Sequence, residues 1–233
     1  PFCTEISGSV TISGSSITNL NGLRNITKIG GKLTIKNNSN LNNLNGLNAL
    51  KSMGGDLEFE NNSFSNIDAL SNLTTVGGHF YIGNNNSLTN LNGMSALTSI
   101  GGYLYLYSNN SLTDILGLQN INPGTITGMY GLRIEYNTNL SVCRLDNFCT
   151  YLAGTGERWI YGNKTSCLDE AAVQWTCNYP VCPPGDITLT SQSEINQFIL
   201  NYPACTEITG NLTIGGTMTH INNLNGLNNI KKI

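Results

Sequence analysis

The sequence predicts a mainly β solenoid in which each repeat forms one coil of a stack. Three observations support this fold class: a segment of 23–26 residues recurs, each copy opens with a short alternating strand, and Gly-Gly pairs separate the copies. A period of this length is typical of solenoids. The copies span residues 9–31, 32–55, 56–78, 79–102 and 103–128, followed by a degraded copy at 131–143.

The first strand of each copy alternates between inward apolar and outward residues, as expected for one face of a sheet. The inward pairs are Leu33/Ile35, Leu57/Phe59, Phe80/Ile82, Leu104/Leu106 and Leu132/Ile134. Two further apolar pairs recur in each copy, for example Leu91/Met94 and Leu97/Ile100. Apolar residues on every side predict a narrow, dry core instead of a ligand cavity.

An asparagine cluster follows each strand. The clusters are Asn37-Asn38, Asn61-Asn62, Asn84 to Asn86, Asn109-Asn110 and Asn137. Asparagine tolerates a left-handed backbone and bonds nearby backbone groups, so it suits a tight turn. Because the turns stack from copy to copy, we expect their side chains to form an amide ladder.

Composition argues against several functional classes. Only 11% of the residues are charged and the net charge is −3, so the basic surface needed for nucleic acid or an anionic membrane is missing. No apolar run approaches about 18 residues, so no membrane-spanning helix is predicted. No motif predicts a cofactor.

The seven cysteines predict disulfides and an oxidising, extracytoplasmic compartment. With only two histidines, His79 and His220, a mixed Cys/His metal site is not expected. Segments 142–153 and 166–177 are interpreted as two short capping helices. Four cysteines lie there; the pairs Cys143–Cys167 and Cys149–Cys177 are favoured, and the other two connectivities stay open.

A longer repeat predicts a second domain. Residues 203–216 repeat residues 1–14 at an offset of 202, and residues 221–233 repeat 17–29. We interpret the chain as a window from a tandem array. The first domain spans residues 1–181, lacks its N-terminal cap and has a C-terminal cysteine cap from about residue 143. Residues 182–233 form the cap and first coil of a second, truncated domain.

The predicted cap of the second domain is a helix within residues 190–202. Ser191 and Glu194 make a capping box, and a disulfide between Cys182 and Cys205 would join the helix to the first strand. Cys3 is equivalent to Cys205, so its partner is expected upstream of residue 1.

The segments 182–214, 131–143 and 160–167 together resemble the receptor L-domain family of the insulin and EGF receptor ectodomains. They are similar to its Cys-Pro-Gly start, short helix, second cysteine and first strand, and to its final coil and cysteine-closed exit. The uniform, Asn-rich copies are most similar in style to multi-copy L-domain proteins exported by bacteria. The resemblance implies a right-handed parallel β-helix with leucine-rich-like coils, and non-enzymatic binding of proteins at the cell surface.

The candidate binding site is the outward face of the first strands, which the resemblance also indicates. Four tyrosines cluster there on adjacent copies, flanked by acidic residues and one arginine: Tyr81, Tyr103, Tyr105, Tyr107, Glu58, Glu60 and Arg133. Exposed tyrosine beside charge is typical of contacts with proteins or sugars. The alternative is that tyrosine simply favours strands and packs across its neighbours.

Catalysis is not expected. His79 has no evident nucleophile partner, and Asp68 and Asp114 are interpreted as turn acceptors at matching positions instead of an acid/base pair. Possible glycosylation sites are Asn25, Asn72 and Asn163, although an Asn- and Thr-rich repeat produces such sequons by composition alone.

The sequence therefore predicts an extracellular or cell-surface binding and adhesion protein. Its partner would be a surface protein, a glycan or a neighbouring copy of itself, with no nucleic acid and no membrane insertion of this segment. The alternative is a structural spacer or filament subunit without a specific small ligand.

Overall fold

The computed structural model describes residues 3–178, 182–183, 185–202, 205–215 and 221–233. The chain divides into two compact units, Pro1–Val173 and Gln174–Ile233, and each is described by itself.

The described strands are short. In chain order they are β1 (Glu5–Ile6), β2 (Val10–Ser13), β3 (Lys28–Ile29), β4 (Leu33–Lys36), β5 (Ser52–Met53), β6 (Leu57–Glu60), β7 (Thr75–Val76), β8 (Phe80–Gly83), β9 (Ser99–Ile100), β10 (Leu104–Tyr107), β11 (Leu132–Glu135), β12 (Arg158–Tyr161), β13 (Ile187–Leu189) and β14 (Leu212–Ile214). The α-helices are α1 (Asp146–Leu152), α2 (Glu170–Asn178) and α3 (Gln192–Asn201). Single 3-10 turns occupy Asn21–Leu23, Asp68–Leu70, Asn92–Met94, Leu116–Leu118, Pro123–Thr125, Thr165–Cys167 and Asn225–Leu227.

Two parallel sheets run through the first unit. The larger has the order β12-β11-β10-β8-β6-β4-β2, and the smaller has the order β1-β3-β5-β7-β9. Strands that neighbour each other in either sheet come from successive copies of the repeat; Leu104, for example, pairs with Phe80 on one side and Leu132 on the other. The prediction of a mainly β chain with parallel sheets and short helices is confirmed.

The inward rows of the larger sheet form the core of this unit. From β4 to β11 all ten inward side chains are fully buried: Leu33, Ile35, Leu57, Phe59, Phe80, Ile82, Leu104, Leu106, Leu132 and Ile134. At about 25 cal/mol per Å² of apolar surface, burying such side chains is the main contribution to stability. The recurring pairs outside the strands, such as Leu91/Met94 and Leu97/Ile100, are buried as well.

The amide ladder is confirmed. In each turn the backbone N–H of one asparagine donates to the Oδ1 of the asparagine one copy later, at 3.0 Å from Asn62 to Asn85 and from Asn85 to Asn109. The full row is Asn38, Asn62, Asn85, Asn109, Asn137 and Asn163. The residue before each of the first five has a positive φ, between 51° and 57°. Three of those five are asparagine, which tolerates this left-handed backbone.

The Gly-Gly pairs allow backbones of successive copies to approach closely. A Cβ added at Gly54, Gly77 or Gly101 would lie 2.1–2.4 Å from a carbonyl oxygen of the glycine one copy earlier. Any larger residue would force the layers apart.

The two turn aspartates do not occupy matching positions, contrary to the sequence interpretation. Asp114 Oδ1 accepts from Leu116 N at 3.2 Å, as Asn66 Oδ1 accepts from Asp68 N at 3.3 Å. Asp114 is therefore the turn acceptor and Asp68 stands two positions further on. The misreading arose because copy 103–128 has lost the Asn-Gly pair that marks the register.

The second unit contains β13, β14 and α3. β13 pairs in parallel with β14, and its core combines both with the helix: Ile187, Leu189, Ile195, Phe198, Cys205 and Ile208 are buried. The predicted capping box is confirmed: Ser191 Oγ accepts from Glu194 N at 3.2 Å, and Glu194 Oε2 accepts from Ser191 N at 3.1 Å.

Disulfides close both units. Cys143 bonds Cys167 with 5.6 Å between Cα atoms, and Cys182 bonds Cys205 with 4.7 Å between Cα atoms. Cys149 and Cys177 are also disulfide-bonded, whereas Cys3 is free and exposed.

Candidate binding face

The outward side of the larger sheet brings the predicted tyrosines together. The register aligns Glu58, Tyr81, Tyr105, Arg133 and Trp159 in one row across five neighbouring strands. A second row, further along the strands, contains Gly83, Tyr107, Glu135 and Tyr161. Tyr103 immediately precedes β10. We call the outward side of β8, β10, β11 and β12, with Tyr103, Tyr130 and Tyr136, the aromatic face.

Arg133 forms the centre of the aromatic face. Its Nε donates to Glu135 Oε1 at 2.6 Å, and its guanidinium carbon lies 4.7 Å from the Tyr105 ring centre and 5.0 Å from that of Trp159. Glu135 is only 1% exposed, and its second oxygen accepts from Tyr105 Oη at 3.0 Å. A buried carboxylate with two charge-assisted partners fixes the positions of both side chains.

Ring contacts continue in both directions from this centre. Tyr105 lies 5.4 Å from Tyr81 and 5.7 Å from Tyr107, measured between ring centres. Edge-to-face contacts then link Tyr107 to Tyr136 at 5.9 Å and Tyr136 to Tyr161 at 5.1 Å. Each side chain therefore has its orientation constrained by a neighbour before any ligand arrives.

A shallow groove of about 260 Å³ lies beside the tyrosines, lined by residues that include Glu58, His79, Tyr81 and Tyr103. His79 stacks on Tyr103 with 3.9 Å between ring centres, and its Nδ1 accepts from Tyr103 N at 3.1 Å. Lys32 forms an ion pair with Glu58 across the groove. His79 therefore serves as a backbone acceptor.

The hydroxyls of Tyr81 and Tyr105 stay protonated at physiological pH, because the pKa of each is raised. Burial raises the pKa of Tyr81 to about 12, and the carboxylates of Glu60 and Glu58 add to the shift. Burial, the hydrogen bond to Glu135 and its charge likewise raise the pKa of Tyr105. Neutral hydroxyls can donate to a ligand, and Tyr81 Oη has no hydrogen-bond partner among the residues described.

Several side chains of the face remain open to solvent. Tyr130, Tyr136, Trp159 and Tyr161 are each 37–46% exposed. Large exposed aromatic side chains with one polar end are typical of contact surfaces, where they bury much area at low entropic cost. The arrangement suits non-covalent contact with a partner and contains no nucleophile beside a base.

The structure separates some residues that the sequence analysis grouped together. Glu58 lies three strands from Arg133 and is paired with Lys32, whereas Arg133 is paired with Glu135. Trp159 and Tyr161 were not predicted on the face, because the residues before β12 do not follow the repeat. The available signal was Asn163, which stands two residues after the strand, as Asn109 does after β10.

Glycosylation of Asn163 is incompatible with the structure. Its side chain is buried at 5% exposure, and Nδ2 donates two hydrogen bonds, to Ile134 O at 2.7 Å and Cys167 O at 3.0 Å. A glycosylated amide keeps one N–H, so one carbonyl would lose its donor and the sugar would have no space. Asn25 and Asn72 are exposed and stay candidate sites.

In the described part of the chain, no group of three or more His, Cys, Asp or Glu side chains is placed to hold a metal ion. Of the helices described, none combines the length and the apolar character needed to cross a bilayer.

Comparison with known proteins gives one match. Residues 2–77, about a third of the chain, match the family model of the receptor L domain. No curated protein and no solved structure matches the chain significantly.

Proposed function

The chain belongs to the receptor L-domain family, and we propose that it is an extracellular protein that binds a protein partner through its aromatic face. Domains of this family bind protein ligands in receptors and are non-enzymatic. The disulfides fit an extracellular setting, since such bonds persist in oxidising compartments.

The fold that we propose in more detail is a right-handed parallel β-helix with leucine-rich-like coils. It is supported by two parallel sheets in which successive copies of the repeat supply neighbouring strands. The asparagine row adds one hydrogen-bonded rung per copy, as expected when coils stack directly on one another. In this arrangement the larger sheet presents one continuous outward surface to a partner.

The observation that carries the proposed function is the fixed position of Arg133 between Tyr105 and Trp159. Arg133 is held by buried Glu135, so its guanidinium is in place before binding and little side-chain entropy remains to be lost. Tyrosine, tryptophan and arginine are the residue types that contribute most at protein interfaces. A protein partner is therefore favoured over a glycan, and adhesion between surfaces is the role that we propose.

We also propose that this chain is part of a tandem array of L domains, with one domain over residues 1–181 and the next beginning at residue 182. The 202-residue offset between Cys3 and Cys205 supports this division. The same repetition favours a second candidate function, in which the array acts as a spacer or filament that holds binding domains away from a surface.

A binding screen tests the proposed function. The immobilised chain is exposed to an array of extracellular proteins and to an array of glycans. We expect a protein ligand whose affinity falls at least about tenfold in Tyr81→Ala and in Trp159→Ala, since each substitution removes a large contact side chain. Neither substitution removes the bond between Arg133 and Glu135; Trp159→Ala also removes one of the ring contacts of Arg133, whereas Tyr81→Ala leaves those contacts in place.

The matched control is Leu116→Ala, which removes an exposed apolar side chain outside the sheet (43% exposed). Its effect on affinity should stay within about twofold. Binding that is equally strong in both face variants would show that the aromatic face is not the site. Binding of glycans alone would contradict a protein partner, and absence of any ligand would favour the spacer.

A further inference from the structure

The groove beside the tyrosines has an acidic side and an aromatic side. Asp56, just before β6, and Glu58, within it, form the acidic side. Tyr81 of β8 and Tyr105 of β10, with Tyr103 just before β10, form the aromatic side. Glu58 pairs in register with Tyr81 on the neighbouring strand. Because the face of an aromatic ring carries partial negative charge, both sides of the groove attract a cation.

The charged groups of the lining also favour a cation. Among the described lining residues, the carboxylates of Asp56 and Glu58 stand against one ammonium group, that of Lys32. His79 accepts a hydrogen bond at Nδ1, so its imidazole adds no positive charge. An anionic ligand would therefore meet net repulsion in the groove, whereas a cationic ligand would be attracted.

The carboxylates already act on the aromatic side of the groove. Burial is the main cause that raises the pKa of Tyr81, and the charges of Glu60 and Glu58 add to it. Burial likewise raises the pKa of Tyr103, with Asp56 as the next cause. Negative charge at β6 is thus felt at both rings, where a bound cation would lie.

A cation of the protein itself already uses one edge of the groove. Lys32 forms an ion pair with Glu58, and the hydrogen bond to Glu58 is the main cause that raises the pKa of Lys32. The Lys32 side chain is 41% exposed. A lysine ammonium is a point charge on a flexible stem, so a planar cation with more donors can displace it.

Three oxygen atoms of the lining are left for a ligand. The described contacts of the Glu58 carboxylate both involve Oε2, and no described residue donates to its Oε1. Asp56 Oδ1 accepts from His79 N at 2.8 Å, and Oδ2 has no donor in the described part of the chain. Tyr81 Oη is the third such atom. A guanidinium carries five N–H donors in one plane, which suits several acceptors beside an aromatic ring.

The centre of the aromatic face shows the same combination with its arginine in place. The guanidinium carbon of Arg133 lies 4.7 Å from the Tyr105 ring centre and 5.6 Å from that of Tyr130, and Glu135 pairs with its charge. Tyr105 also lines the groove, 5.4 Å from Tyr81 between ring centres. The groove therefore repeats the tyrosine rings and carboxylates of this centre, but its described lining contains no arginine.

We propose that the groove is the subsite for an arginine side chain of the protein partner. The guanidinium packs on the rings of Tyr81 and Tyr103, and its charge is paired with Glu58 and Asp56 in place of Lys32. This inference rests on the proposed function, because it names the chemistry of the partner at the same face.

A peptide titration tests the subsite on the complete chain without the partner. The probe is acetyl-Gly-Arg-Gly-amide, and the matched probe carries citrulline, which has the shape of arginine without its charge. We expect saturable changes in the NMR signals of His79, Tyr81 and Tyr103 with the arginine peptide. Its affinity should exceed that of the citrulline peptide at least about tenfold, since the ion pairs and the cation–π contact are lost in citrulline.

Two substitutions should change this affinity in opposite directions. Glu58→Gln should lower it at least about fivefold, because an ion pair is lost. Lys32→Gln should raise it about threefold, because the competing cation is removed, and a folding defect would not produce a gain. The matched control is Lys36→Gln, which makes the same charge change on β4 outside the groove lining and should stay within about 1.5-fold.

Equal affinity for the citrulline peptide, a titration without saturation, or weaker binding by Lys32→Gln would overturn the proposal. Stronger binding of acetyl-Gly-Glu-Gly-amide or of maltose at the same signals would also overturn it. The proposed function fails separately: the arginine peptide would bind while the screen finds no protein ligand. Conversely, a partner that depends on Tyr81 and Trp159 but is indifferent to Glu58→Gln and Lys32→Gln would refute the subsite and leave the proposed function intact.

Discussion

Single asparagine side chains connect each copy of the repeat to the next. Asn85 is fully buried; its Nδ2 donates to Phe59 O at 3.0 Å and Gly83 O at 2.9 Å, while its Oδ1 accepts from Asn62 N. Aspartate has no donor to replace Nδ2. Alanine removes the acceptor of Asn62 N and the Nδ2 donor of Phe59 O and Gly83 O, although Gly83 O keeps its bond from Asn61 N. This explains why the position repeats as asparagine although the residues around it change.

Replacing Asn85 with alanine should lower the free energy of unfolding by about 3 kcal/mol, because its side chain makes several buried hydrogen bonds that are lost together. Denaturant unfolding measures the change. The control is Asn42→Ala at an exposed position, which should stay within about 0.5 kcal/mol. Equal effects from the two substitutions would mean that the amide ladder does not stabilise the stack.

The short strands and turns of this protein are stabilised mainly by contacts with the neighbouring copies of the repeat. The 3-10 turn Asn92–Met94 has three residues, and a strand such as β10 has four. Elements this short do not persist alone in water. Close backbone contact between copies therefore decides their stability, and the glycine inside the 3-10 turn permits that contact.

Gly93→Ala should destabilise the first unit by about 2 kcal/mol, since the new Cβ would lie 2.0 Å from Ile67 O and push two layers apart. Gly22→Ala makes the same chemical change at a position with nothing within 4 Å. It should be neutral or stabilising by up to about 1 kcal/mol. A thermal shift of the same size and sign in both variants would rule out interlayer contact as the cause.

At the scale of the whole molecule, the two sides of the larger sheet have different roles. Its inward side belongs to the scaffold, and its outward side carries the candidate site. Inward residues repeat from copy to copy, whereas the outward row changes from Thr34 through Glu58 and Tyr81 to Arg133 and Trp159. The aromatic residues gather toward the end of the sheet that β11 and β12 form, near the cap segment that contains Cys143 and Cys167. The binding face can therefore form only if that end of the sheet is stably folded.

Removing the bond between Cys143 and Cys167 by a double substitution to alanine should cost about 3 kcal/mol, the value for a loop of this size. Hydrogen exchange in β11 and β12 under mild denaturant measures the loss at this end of the sheet. Cys3→Ala is the control, because Cys3 is free and exposed, and it should change nothing. Unaltered exchange in the double variant would show that the bond does not support the binding face.

Much of the scaffold follows from the sequence, because period, alternation and turn chemistry are local properties. The strand rows, the asparagine ladder and the Ser191 capping box are all visible in short windows. The predicted alignment of the copies was wrong at Asp114, because its copy has lost the Asn-Gly pair that marks the position. β12 was missed because residues 144–157, which contain α1, do not follow the repeat and interrupt the period before it.

By itself the sequence determined the parallel, stacked arrangement and the position of the tyrosines on its outward side. Only the tertiary structure decided that Arg133 pairs with Glu135 and Glu58 with Lys32, that Trp159 and Tyr161 complete the face, and that Asn163 is buried. The physical reason is that these facts depend on which strands become neighbours across copies. Inward positions are apolar in every copy, so the repeat predicts them. Outward contacts depend on the distance between particular side chains, which the repeat period does not specify.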